Sequence, residues 1–158
     1  MSISKKDEKF LAIASHYASK STMNNRHGCI VVLNGGVIAN GFNHLRNYSN
    51  DKMLNHCYSC HAEIAAVRNA IKFTKIKQHD EHKQNSLLKR MTLYVVRVNN
   101  DDEFLDSKPC SHCYCTLKEI GVRNVIYSDG ISCSSIDFRN ETHCKVSTGH
   151  KYSNLLIK

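Results

Sequence analysis

Residue types that bind zinc stand at ligand spacing in two short stretches, His61-Ala62-Glu63 and Pro109-Cys110-Ser111-His112-Cys113. One histidine and two cysteines make three ligands and leave a fourth position for water, the arrangement of a catalytic site and not of a closed structural one. Glu63 follows His61 by two residues, about 200° around a helix, which suits a proton carrier better than a fourth ligand. A Lewis-acidic ion that lowers the pKa of water, with a carboxylate able to move protons, is a hydrolytic site in outline.

Cys110 and Cys113 are three apart, so on a helix both sulfurs project from one face. A helix start at this point favours thiolate through its unpaired N–H groups and dipole. Two thiolates cancel the charge of Zn2+ formally, so a neutral aromatic substrate meets no strong field. His112 points elsewhere on the helix and is read as lying outside the ligand set. His56, Cys57 and Cys60 could hold a second zinc with Cys29, His79 or His82, against the simpler reading of reduced cysteines packed in a loop. Cys115, Cys133 and Cys144 read as small buried residues. Tyr94 and Tyr127 read as core aromatics and not as base-stacking platforms.

The elements that must position these residues follow from periodicity. Phe10, Leu11, Ala14, Tyr17 and Ala18 form a helical stripe over Lys5 to Ser19, with Ser4 as N-cap. Gly28 to Leu33, Asn34-Gly35-Gly36 and Val37 to Phe42 read as strand, turn, strand. Residues 43–60 are polar and read as a long loop over one end of the sheet. Ile64, Ala65, Val67, Ala70 and Ile71 place a second helix over His61 to Phe73, its N-terminus at the site. The polar, basic stretch 72–90 reads as an exposed insertion. Met91 to Val98 reads as a buried strand followed by an acidic loop. Cys110 to Ile120 fits a helix opened by Pro109 and stopped by Gly121, and Arg123 to Tyr127 a further strand. Helices separating the later strands imply parallel crossovers, hence a three-layer α/β/α fold on a mixed central sheet. The pattern fades beyond Asp129, and some of the tail is expected to pack on the core.

At 158 residues the chain suits one domain, 1–158, with a core at about 5–129 and an unassigned tail 130–158. Eight cysteines would suit a disulfide framework only in a secretory context, and no apolar run follows the basic residues at the start. No stretch approaches the roughly 20 apolar residues of a membrane span, so the reading is a soluble, intracellular, cytoplasmic protein with no membrane partner. The net charge of +8 suits an anionic partner, a nucleotide phosphate or nucleic acid. Lys and Arg are dispersed and not blocked, which argues against nucleic acid, and the plain reading of the charge is solubility.

The H-x-E and P-C-x-x-C pair resembles the signature of the zinc-dependent cytidine and deoxycytidylate deaminase superfamily. The resemblance runs from about Phe10 to Asp129 and is supported by Ser19-Lys20-Ser21-Thr22, His27 to Val32, Gly41-Phe42-Asn43 and Leu93-Tyr94-Val95. It implies the cytidine-deaminase-like fold, zinc on His61, Cys110 and Cys113, and Glu63 as general acid and base. It also implies that Asn43 contacts the sugar and that the Ala62 amide faces the base. The first-helix boundary looks most like the deoxycytidylate branch, where a basic residue near Arg26 would help hold a phosphate and some members carry an additional structural zinc. Members form homo-oligomers. About 45 residues separate Glu63 from Pro109, more than in most members, and the polar stretches account for the excess.

The sequence therefore points to a hydrolase that replaces the exocyclic amine of a cytosine nucleotide or nucleoside by oxygen, with dCMP to dUMP the first choice. The alternatives are a nucleic-acid or tRNA editing deaminase, a guanine or pterin deaminase, and an inactive zinc-binding scaffold. The absence of Trp and of an aromatic-rich basic segment counts against the first of these.

Overall fold

The computed structural model describes residues 4–54, 58–76 and 80–140. The order is α1 (Lys5–Ala18), β1 (Arg26–Leu33), β2 (Gly36–Phe42), α2 (Ala62–Thr74), α3 (Glu81–Leu88), β3 (Thr92–Val98), β4 (Phe104–Leu105), α4 (Ser111–Glu119), β5 (Asn124–Ser128) and β6 (Cys133–Asp137). The strands form one sheet in the order β2-β1-β3-β5-β6, with β4 on the end of β3. β3 and β5 are parallel, joined through α4, and the remaining pairs are antiparallel. This is the expected α/β/α arrangement on a mixed sheet.

Period-two alternation splits the apolar residues between two helical layers. Ile30 and Val32 of β1, with Tyr94, Val96 and Val98 of β3, pack on Phe10, Leu11, Ala14 and Ala18 of α1. Cys29 and Val31, with Leu93 and Val95, face Ala62, Ala66, Val67 and Ala70 of α2 and Tyr114 and Leu117 of α4. Two glycines set how closely the layers approach. A Cβ at Gly28 would lie 2.2 Å from the Ala14 carbonyl oxygen under α1, and one at Gly41 would lie 2.4 Å from the Ala66 nitrogen under α2. Ser4 caps α1 as expected, its hydroxyl accepting from the Asp7 N–H at 3.1 Å.

Two expectations about elements are corrected, and Cys115, read as a small buried residue, is exposed. Within 72–90 the chain folds into α3, capped by Asp80, whose carboxylate accepts from Lys83 N–H, and Leu88 is buried in the core beside Met91. Two apolar residues at the end of a polar helix suffice to dock it, and so few carry little periodicity. The loop 43–60 is not merely draped over the sheet: Ser49 and Leu54 are buried, and Leu54 packs with Ile64, Cys110 and Cys113. Beyond Asp129, β6 pairs antiparallel with β5, and Phe138 is buried with its ring 4.8 Å from that of Tyr114. No helix among the described residues is long and apolar enough to cross a membrane.

Candidate metal centre

The two half-sites meet because two helices begin at the same end of the sheet. His61 is the N-cap residue of α2 and Cys110 that of α4, both in extended backbone. The His61 side chain makes no capping bond, so its ring is free to turn away from its own helix. His61 Nδ1 lies 3.1 Å from Cys113 Sγ and 3.5 Å from Cys110 Sγ. Cys113 N–H donates to Cys110 Sγ at 3.5 Å, holding the cysteine pair on one turn. All three ligand atoms lie within 4.8 Å of one another. Tetrahedral zinc, with Zn–N near 2.0–2.1 Å and Zn–S near 2.3 Å, requires N···S separations of about 3.5 Å. The donor set and its spacing fit the ion with a few tenths of an ångström of adjustment.

Electrostatics mark the same cluster. Burial alone would depress the His61 imidazole, but the contact with Cys110 and the charge of Glu63 carry it above the usual histidine value. The hydrogen bond from Cys113 outweighs desolvation and, with His61, brings the Cys110 thiol down to about 3. Cys113, wholly buried beside a thiolate, is pushed up by that contact and by desolvation. One of the two sulfurs is thus held as thiolate next to an imidazole of raised proton affinity. Metal binding replaces the remaining protons.

Glu63 is 4 % exposed, on the first turn of α2. Burial raises its carboxyl above the ordinary value, with His61 and Cys113 opposing. The carboxyl therefore stands beside the ligand cluster with a raised proton affinity. Ala62 is fully buried at the first helical position, where the backbone N–H has no intrahelical acceptor.

Asn43 continues the β1–β2 ladder by one step. Its N–H donates to the His27 carbonyl at 3.2 Å. Its side-chain oxygen accepts from His27 N–H at 2.9 Å and its amide donates to the Asn25 carbonyl at 2.6 Å, while Ser21 donates to the Asn43 carbonyl. The other N–H of that amide makes no hydrogen bond among the described residues. His27 is paired in register with Arg97 of β3. Its imidazole is lowered to about 4, chiefly by burial, and so is neutral.

Arg26 is carried elsewhere. It pairs with Val98 in register, on the α1 side of the sheet, and its guanidinium donates to the Asn99 carbonyl and, at 3.5 Å, to Asp102. Cys60 joins the apolar group around the ligands, and its sulfur donates to the His61 carbonyl at 3.5 Å. His56 and Cys57, with His79, lie outside the described residues, and among those described His61, Cys110 and Cys113 are the one metal-competent cluster. A cavity of about 930 Å3 lies along the later turns of α2, between Arg46, Asp51, Arg68, Lys72 and α3, and includes none of the three ligands.

Residues 4–129 match the profile of the cytidine and deoxycytidylate deaminase zinc-binding region. The match spans both half-sites, and the chain belongs to this zinc-binding family of deaminases, hydrolases that act on C–N bonds. The fold is similar to that of the dCMP deaminase of cyanophage S-TIM5. Its apo crystal structure aligns with a TM-score of 0.52 and 21% identity over 82% of this chain and 90% of that one. Its complex with dCMP and dUMP aligns with a TM-score of 0.53 and 20% identity over 80% and 83%. A diaminohydroxyphosphoribosylaminopyrimidine deaminase/5-amino-6-(5-phosphoribosylamino)uracil reductase from Thermotoga maritima aligns with a TM-score of 0.50 and 21% identity over 96% of this chain and 39% of its own. At these identities the likeness is one of fold. No curated protein matches the sequence.

Neither His27, which feels the charge of His61 and Cys110, nor Arg97, its register partner, is marked out as a site residue by a motif of the sequence. The signal for Arg97 was there: a charged residue in the otherwise apolar run Met91 to Val98, at the parity of Leu93 and Val95.

Proposed function

We propose that the protein hydrolyses the exocyclic C–N bond of a cytosine nucleotide or nucleoside, with dCMP to dUMP the preferred conversion and ammonia the second product. The observation that carries this reading is the position of Glu63, buried, with raised proton affinity, beside a three-residue donor set for zinc. His61, Cys110 and Cys113 would hold the ion, which when bound supplies Lewis-acid activation of a water.

The remaining work falls to residues of the chain. Glu63 accepts a proton from the attacking water and delivers it to the ring nitrogen beside the amidine carbon. As the C–N bond breaks, Glu63 passes the second proton of that water to the amine, which leaves as ammonia while the carbonyl forms. The α2 N-terminus presents the Ala62 N–H to the carbonyl of the base, and Asn43 offers its remaining amide N–H to the sugar. The neutral cage of ion plus two thiolates leaves discrimination to hydrogen bonds and shape.

The test is ammonia release, with the accompanying ultraviolet change, from dCMP, CMP, deoxycytidine and cytidine on zinc-loaded protein, with Glu63→Ala as control. Turnover of at least one of them by the wild-type chain and none by the variant is expected. Silence on all four with zinc bound sinks the reading and turns the search to polynucleotides and purines.

A further inference from the structure

Three residues from adjacent strands form one row across the end of the sheet. Asn43 extends β2 and bonds to His27 of β1, and His27 is the register partner of Arg97 in β3. Residues paired across antiparallel strands share a face, and this row falls on the face of Cys29, Val95 and α2, one step beyond the point where α2 seats on Gly41. Arg97 therefore belongs to the site end of the sheet, whereas Arg26, one residue along, alternates to the α1 side.

Unlike three other arginines of the chain, Arg97 has no counter-charge among the described residues. Arg26 has Asp102, Arg68 has Asp51 and Arg139 has Asp137. No carboxylate among the described residues pairs with Arg97. Asp129, beyond the end of neighbouring β5, directs its carboxylate to Ile131 N–H, Ser132 N–H and the Ser134 hydroxyl. One Arg97 terminal nitrogen donates to the Asn25 side-chain oxygen at 2.7 Å, which aims the guanidinium toward the segment that also anchors Asn43. Its Nε is buried and has no hydrogen-bond partner. A half-buried guanidinium that lacks a carboxylate partner and spends one terminal N–H on Asn25 has further terminal N–H groups with which to meet an anion from outside.

We propose that Arg97 is the residue that recognises the phosphate of a nucleoside monophosphate in this site. The inference rests on the cytosine-deaminase reading above and supplies its substrate class. Asn43 at the sugar and Arg97 two strands away in the same row give the order base, sugar, phosphate along the sheet end. A planar fork with several free N–H groups is suited to phosphate oxygens.

The test compares binding of dUMP and deoxyuridine by calorimetry, and kcat/KM for dCMP and deoxycytidine, on the zinc-loaded full chain and its Arg97→Gln and Arg97→Lys variants. The wild-type protein is expected to prefer each monophosphate over its nucleoside. Arg97→Gln should cut that preference about ten- to a hundredfold, the worth of a charge-assisted contact, mainly through KM. Arg97→Lys, which keeps the charge but not the fork, should retain part of it. It also decides the matter should Arg97→Gln fail to fold. An unchanged ratio in the folded variants, or equal losses on both members of each pair, overturns the proposal while leaving the deaminase reading intact. A wild-type chain that binds and turns over none of the four pyrimidines overturns both.

Discussion

His61 and Cys113 are 52 residues apart in the chain, yet the imidazole Nδ1 and the sulfur stand 3.1 Å apart. Neither lies on a strand. Their meeting is the product of two helices starting at one end of the same sheet, so the metal ties together the two halves of the fold that carry them. The zinc-loaded protein is expected to melt well above the chelator-treated one. A ligand present at about a hundredfold over its dissociation constant adds about 2.7 kcal/mol. Cys113→Ser should hold little zinc by elemental analysis and melt at the same temperature with or without chelator.

Glu63 is the proton carrier of the proposed reaction, not a ligand. Glu63→Gln is isosteric and leaves the three donors in place. It should bind zinc at the wild-type stoichiometry while turnover falls by about 10²–10⁴, the usual contribution of a positioned acid and base. Parallel zinc and rate measurements separate this outcome from metal loss, which would lower both.

Gly41 lets α2 sit directly on β2. A Cβ there would meet Ala66 N at 2.4 Å and Ala62 O at 2.8 Å, backbone atoms that cannot rotate aside. Gly41→Ala should cost about 1–3 kcal/mol in denaturant unfolding. It should also weaken zinc retention, because the helix that must shift carries His61 at its start.

Leu88 tests whether α3 belongs to the core. It is 2 % exposed and packs in the α2 and α4 layer. Leu88→Ala should therefore destabilise by about 2–5 kcal/mol. A loss of a few tenths, as at a solvated position, would show instead that α3 is a dispensable surface addition.

Asp51 holds the loop that covers the ligands. Desolvation would raise its carboxyl, but hydrogen bonds from Ser49, Arg68 and Met53 N–H together lower it below the ordinary 3.8. Arg68 Nε stands 2.6 Å away. A depressed folded value contributes stability that is present above pH 3.8 and lost as pH falls through the lower folded value. The gap in urea midpoint between wild type and Asp51→Asn should be constant near neutrality and shrink below that pH. A gap that widened on acidification would contradict the sign.

The sequence by itself determined the metal-ligating residue types, the carboxylate beside them and the helices that carry both. Each of these is local: a cap, an apolar stripe, a three-residue cysteine spacing. The β1–β2 hairpin was legible for the same reason, from a Gly-rich turn between two apolar runs. Other features depended on contacts between distant segments and left little periodic trace. Leu88 docks a mostly polar helix, Leu54 tucks a polar loop against Cys110 and Cys113, and β6 completes the sheet with a strand of which only Ile136 is buried. The tertiary structure alone decided which arginine stands in the row with His27 and Asn43. Arg26 and Arg97 look alike in a sequence, but a one-residue difference in strand register sends one to Asp102 on the α1 side and leaves the other, without a carboxylate partner among the described residues, in the row with His27 and Asn43.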